Sequence, residues 1–206
     1  MIARLEEKIR ERLSEKRAAH TLEVAKEAML LASFFPLSEA DREGLHQAAL
    51  LHDITKEEPF ELQVERIRSC GLTPSEEDLR SKETLHALSG YLCAKTEFSL
   101  AEPYALAIRR HSTGGGEMTL LDKLLFAADY TEATRPYENC RRIHAFLHGR
   151  LPKAGNCEER LAILNEGVYN IANATLDHLI HRGFFIHPDT LALRNSLIPP
   201  TKGRKQ

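Results

Sequence analysis

Apolar residues recur at helical spacing along almost the whole chain, and no segment alternates long enough to make a strand. That pattern restricts the sequence to an all-α fold. Ile2, Leu5, Ile9 and Leu13 form the first stripe. The next helix runs from about Arg17 to Phe35, with Val24, Ala25, Ala28, Leu31, Ala32 and Phe35 inward, and Pro36 stops it. Ser38 with Asp41 resembles a capping box and opens a helix that ends in Ala48-Ala49-Leu50-Leu51-His52-Asp53. A shorter helix follows Pro59, and Pro74-Ser75 with Asp78 starts another. Thr84 to Phe98 is helical, and Pro103 sits in the first turn of the next helix, which closes at His111. Ser112 to Gly116 is a loop. Thr119 with Asp122 caps Leu120 to Asp129, and a polar loop spans Thr131 to Tyr137. The last long helix places Leu161, Leu164, Val168, Ile171, Thr175 and Leu179 on one stripe, with Gly183 as its C-cap. The expected organisation is one domain over residues 1–198, with a frayed tail at 199–206.

Composition narrows the function classes. The 206 residues carry 28 Lys+Arg against 30 Asp+Glu, a net charge of −2, which argues against a general nucleic-acid binder. No apolar run approaches the roughly 18 residues of a membrane span. The charged N-terminus, MIARLEEKIR, is no secretory signal. Cys70, Cys93, Cys140 and Cys157 are far apart with no C-x-x-C spacing, so they read as structural thiols in a reducing, cytoplasmic setting. A second copy of the chain is a candidate partner, because the first or the last long helix could face one.

Ten histidines are many for this length. Four of them fall on the inner stripe or inner end of separate helices. His20 lies one turn before Val24, His52 ends the Ala-Ala-Leu-Leu run, His86 lies one turn before Gly90, and His111 closes an apolar helix. Asp53 follows His52, and Asp129 ends Leu124-Leu125-Phe126-Ala127-Ala128. A carboxylate at the edge of a core is costly unless it is paired or binds a metal. For any single position, a satisfied core histidine is the commoner outcome. As a set, imidazoles with carboxylates suit Fe, Mn, Co or Zn. Six side chains exceed one open site and suit two ions sharing a bridging carboxylate. His46, His144, His148, His178, His181 and His187 lie in polar contexts and read as surface or structural residues.

In chain order, His20, His52-Asp53 and Asp129 follow the H…HD…D pattern of the HD-domain metal-dependent phosphohydrolases, and His86 and His111 resemble its two-metal branch. The strings Glu15 to Ala25, Ala49 to Lys56, Ile108 to Gly114 and Ala127 to Tyr130 resemble the YqeK-type symmetrical bis(5′-nucleosyl)-tetraphosphatases, in order from about residue 4 to 180. The resemblance implies an all-α HD-domain helical bundle with a dinuclear centre, often iron, with manganese or cobalt as the other fits. It also implies hydrolysis of diadenosine tetraphosphate to two ADP. His20, His52, Asp53 and Asp129 would hold one ion, with Asp53 bridging, and His86 and His111 the other. After Asp129 the chain departs from the family pattern: an Arg is kept as Arg135, but the proline has moved and Phe-Pro-Gly is absent.

Cleaving a phosphoanhydride needs a nucleophile and neutralised phosphoryl oxygens. A metal pair supplies both, because water between two such ions deprotonates near neutral pH. Asp53, Lys56 and Arg135 are therefore the candidate catalytic residues. Lys56, Arg110, Arg135, Thr113 and Gly114 are the candidate substrate contacts, with Arg135 favoured because a guanidinium can grip phosphate in two places. Arg109 is a further basic candidate. Tyr130 and Tyr137 could flank a base, although core packing suits each better. Asp122, Lys123 and Glu83 are assigned only capping or solvation. Two other readings compete: the same metal site acting on a mono- or cyclic nucleotide, and a non-catalytic nucleotide-sensing module on the same scaffold.

Overall fold

Side-chain caps start the helices where the sequence places them. In the computed structural model, which describes residues 2–198, Ser14, Ser38, Ser75, Thr119 and Asn156 each accept a hydrogen bond from a backbone N–H two or three residues into the following helix. Ser75 with Asp78 and Thr119 with Asp122 form complete capping boxes. The helices are α1 (Ile2–Arg12), α2 (Glu15–Ala32), α3 (Glu39–Leu51), α4 (Phe60–Ser69), α5 (Glu76–Arg80), α6 (Leu85–Thr96), α7 (Glu102–Arg110), α8 (Leu120–Thr131), α9 (Glu138–Arg150), α10 (Cys157–Arg182) and α11 (Pro188–Ser196). The described residues contain no strand, so the fold is all-α. None of their helices is long and apolar enough to cross a membrane.

α2 packs on α3 and α8, while α7 packs on α3, α6 and α8, so these five helices enclose the centre. Leu45, Leu50, Leu51, Ile108, Leu124 and Leu125 are fully buried between them. Each such side chain contributes roughly 1.5–3 kcal/mol by leaving water. Every residue of α6 from Leu85 to Ala94 is buried, which leaves it no solvent face. α1 covers α2 and α3, α4 covers α6, and α10 braces α8, α9 and α11.

Two helices, α9 and α11, go beyond the sequence reading. α9 buries only Cys140, Ile143 and Leu147, and α11 only Thr190 and Leu193, so each offers too thin a stripe to stand out among polar neighbours. On α10 the buried face includes Leu164, Val168 and Ile171 as expected, but Ile163, Ala172 and Leu176 complete it, and Leu161 is exposed. Gly183 ends α10 at φ 64°, the left-handed cap anticipated for it. The expected tail at 199–206 lies outside the described residues. All four cysteines are free thiols, with Cys93 and Cys140 buried and Cys157 exposed.

Candidate metal centre

Six side chains meet where α2, α3, α6, α7 and α8 converge. They are His20 from α2, His52 and Asp53 from the end of α3, His86 from α6, His111 from the end of α7, and Asp129 from α8. His52, Asp53, His86 and His111 are buried, while His20 and Asp129 are partly open.

Asp53 divides its neighbours between its two oxygens. Oδ2 lies 3.5 Å from His52 Nε2 and 3.8 Å from His20 Nε2. Oδ1 lies 3.2 Å from His86 Nε2 and 3.6 Å from His111 Nε2. Asp129 Oδ1 joins the first group, 3.0 Å from His20 Nε2 and 3.8 Å from His52 Nε2. His86 and His111 face each other Nε2 to Nε2 at 3.1 Å.

The outer nitrogens fix which way the inner ones face. His52 Nδ1 donates to the Ala49 carbonyl and His111 Nδ1 to the Ile108 carbonyl, each at 2.7 Å. These bonds put the proton on Nδ1 and turn a lone pair on Nε2 inward. His52 Nε2 is buried and has no hydrogen-bond partner, an arrangement that costs free energy unless something accepts that lone pair. His20 Nδ1 lies 3.2 Å from Glu132 Oε1, the carboxylate support that orients metal-ligating histidines. The donor set, the orphaned nitrogen and the outer hydrogen bonds all fit transition-metal ions.

Electrostatics agree. Burial opposes ionising Asp53, but His52, His111 and His86 outweigh it and hold its carboxyl well below the usual range. Burial likewise opposes charge on Asp129, and His20, Arg135 and His52 overcome it. Burial also works against charging His52, yet the two carboxylates raise its pKa. His86 goes the other way, pushed down to about 3 chiefly by burial. The centre thus gathers two ionised carboxylates beside the buried, uncharged imidazole of His86, a demand for positive charge that cations meet.

Basic groups ring the centre. Arg135 sends Nη2 to Asp129 Oδ1 at 2.6 Å and grips the Asp129 carbonyl through Nε and Nη2. Lys56 Nζ donates to the Glu83 carbonyl at 3.0 Å and sits 3.2 Å from His86 Nδ1. Its pKa is lowered, first by burial. Arg17, which carried no role in the sequence reading, reaches Asp53 Oδ2 at 2.9 Å. Glu132 was also missed. Arg17 lies three residues before His20 on α2, the spacing that shares a helix face, and Glu132 lies three residues after Asp129, just past the end of α8.

The other candidate substrate contacts lie at or just after the end of α7. Arg110 pairs with fully buried Asp122 at 2.6 Å, so Asp122 does more than cap its helix. Thr113 is buried, and Gly114 sits at φ +74° where an added Cβ would come 2.3 Å from Leu193 Cδ2. That glycine is required by the packing of α11 and by its left-handed backbone. Arg109 is exposed at the end of α7. Tyr130 packs against the core as expected. Tyr137 does not: it is 66% exposed because it stands in the open stretch before α9. With Arg17, His20, Arg135 and Pro136 it lines a cavity of about 1420 Å³ that reaches between α1 and α2.

Known proteins resemble this chain in sequence and fold. The HD domain family matches residues 17–134. The symmetrical bis(5′-nucleosyl)-tetraphosphatase of Staphylococcus aureus is 30% identical over 90% of this chain and 89% of its own length. Its namesake from Halalkalibacterium halodurans is 28% identical over 92% and 93%. A solved structure from Clostridium acetobutylicum, described as a predicted HD superfamily hydrolase involved in NAD metabolism, superposes with a TM-score of 0.82 at 28% identity, covering 96% of both chains. With the HD domain matched over more than half its length, the chain belongs to the HD-domain family of hydrolases.

Proposed function

We propose that this protein hydrolyses diadenosine tetraphosphate symmetrically to two ADP at a dinuclear centre. His20, His52, Asp53 and Asp129 hold one ion, and His86, His111 and Asp53 the other. The observation that carries this reading is the division of neighbours between the two oxygens of Asp53. Three symmetrical tetraphosphatases align along about nine-tenths of the chain, which supports the substrate. The histidine-carboxylate set suits iron, with manganese and cobalt as alternatives.

Two bound ions would supply Lewis acidity and make water acidic enough to ionise near neutral pH. The chain's own groups do the rest. Arg17 and Arg135 stand at the cavity edge of the centre, where guanidinium forks can grip neighbouring phosphates. Lys56 adds positive charge beside His86. Tyr137 and Pro136 offer an apolar wall for a nucleoside at the cavity mouth. Water oxygen adds to the second or third phosphorus, the central P–O–P bond breaks, and the bridging oxygen leaves with the other diphosphate. Each product is ADP.

Product analysis tests the reading. Metal-loaded protein incubated with diadenosine tetraphosphate should give ADP alone. ATP with AMP would refute symmetrical cleavage. No turnover of this substrate alongside cleavage of a mono- or cyclic nucleotide would replace the substrate and keep the metal site.

A further inference from the structure

A second cluster of histidine and carboxylate side chains lies outside the HD centre. His144 and His148 stand one turn apart on α9, and both face Glu27 of α2. The sequence reading left these histidines as ordinary polar residues. Glu27 is a carboxylate only 5% exposed, inside a helix interface. Its Oε1 accepts from Thr131 Oγ1 at 3.1 Å, and lies 2.8 Å from His148 Nε2 and 3.7 Å from His144 Nδ1. The two rings stack at 4.0 Å, and His144 Nδ1 also meets the Thr131 carbonyl at 2.8 Å. One ligand atom from each of the three side chains lies within 4.8 Å of the others.

We infer that Glu27, His144 and His148 form a third, mononuclear site for a divalent transition-metal ion of the zinc class. Two histidines and one glutamate form a donor set that zinc accepts, with a fourth position left over. Ligand atoms around a tetrahedral zinc ion stand about 3.3 Å apart, between the two separations found at Glu27 Oε1. The ion would replace the contacts that Glu27 Oε1 now makes with the two histidines. His144 and His148 are 34% and 22% exposed, which gives the ion a way in.

The position suggests what such an ion does. Glu27 lies seven residues after His20 on α2, and Thr131 two residues after Asp129 on α8. An ion joining α2 to α9 beside the end of α8 would brace the two helices that deliver His20 and Asp129. It would act as a positioning element and would touch no substrate.

Zinc titration of the intact wild-type chain, alongside His144→Ala/His148→Ala, tests the inference. The wild type should bind one more Zn²⁺ per chain than the double variant, and the variant should still cleave diadenosine tetraphosphate. Equal zinc stoichiometry in the two proteins would overturn the site, leaving an ordinary Glu–His clasp. Should the double variant not fold, Glu27→Gln keeps the side-chain shape while weakening the anionic ligand, and it should lose the same equivalent. Retention of that equivalent in Glu27→Gln would equally overturn the inference. Failure here leaves the HD centre untouched, because none of the three residues belongs to it.

Discussion

Arg17 offers a sharp test of how the chain's own charges serve the centre. Its guanidinium reaches Asp53 Oδ2 at 2.9 Å and keeps 31% of its side chain exposed, so it faces both the ligand carboxylate and the cavity. Bound ions would engage Asp53 and leave the Arg17 fork for a phosphate. A hydrogen bond between charged groups contributes about 1.5–3 kcal/mol, and exposure favours the lower end of that range. At about 1.36 kcal/mol per tenfold, Arg17→Ala should reduce kcat/KM for diadenosine tetraphosphate by roughly 10- to 30-fold. Arg17→Lys, which keeps the charge but loses the fork, should fall in between. Metal content should not drop, because the mutation removes a competitor for Asp53. The assay is steady-state hydrolysis with elemental analysis of the same samples. Wild-type kcat/KM in Arg17→Ala would refute a phosphate role, and metal loss parallel to activity would show that Arg17 acts by holding Asp53.

Other outcomes follow from single contacts. Gly114→Ala places a Cβ against Leu193 at a positive φ, so it should destabilise the fold by about 2–4 kcal/mol, read as a denaturant midpoint, and a neutral result would remove the packing reason for this glycine. In metal-free protein, burial holds His86 at about 3, so between that value and about 6.5 the unfolded chain binds a proton that the folded one refuses. Stability from this group is complete above about 6.5 and is lost as pH falls toward 3, and His86→Gln should flatten this part of the pH profile. The raised pKa of His52 pulls the opposite way, its contribution being lost as pH rises through the folded value, but it is present in both proteins. Equal pH slopes for wild type and variant between pH 7 and 5 would contradict the assignment.

The residues that meet at the centre were legible because they end or line apolar runs: Leu50-Leu51 before His52, Ile108 before His111, and Phe126-Ala127-Ala128 before Asp129. A polar group at the inner end of a buried helix has few tolerable environments, so the pattern carries information. Arg17 and Glu132 carried no such mark, since a charge near a helix end is usually solvated. Only the packed helices show Arg17 reaching Asp53 and Glu132 supporting His20. Arg110 was a candidate for phosphate as a local basic group, and Thr113 and Gly114 as sources of a hydroxyl or a backbone N–H. The structure instead gives Arg110 to buried Asp122 and uses Gly114 to admit Leu193, contacts between segments distant in sequence. Glu27 and its histidines stayed hidden for the same reason, being 117 and 121 residues apart.

In the proposed centre one carboxylate, that of Asp53, joins two metal ions. Elemental analysis of the wild-type chain and Asp53→Ala, purified and loaded in parallel, tests it most directly. Because Asp53 turns one oxygen to each histidine group, the variant should carry two fewer ions per chain than the wild type and lose hydrolysis of diadenosine tetraphosphate. A difference of one ion, or none, in a variant that still folds would contradict a bridging role for Asp53.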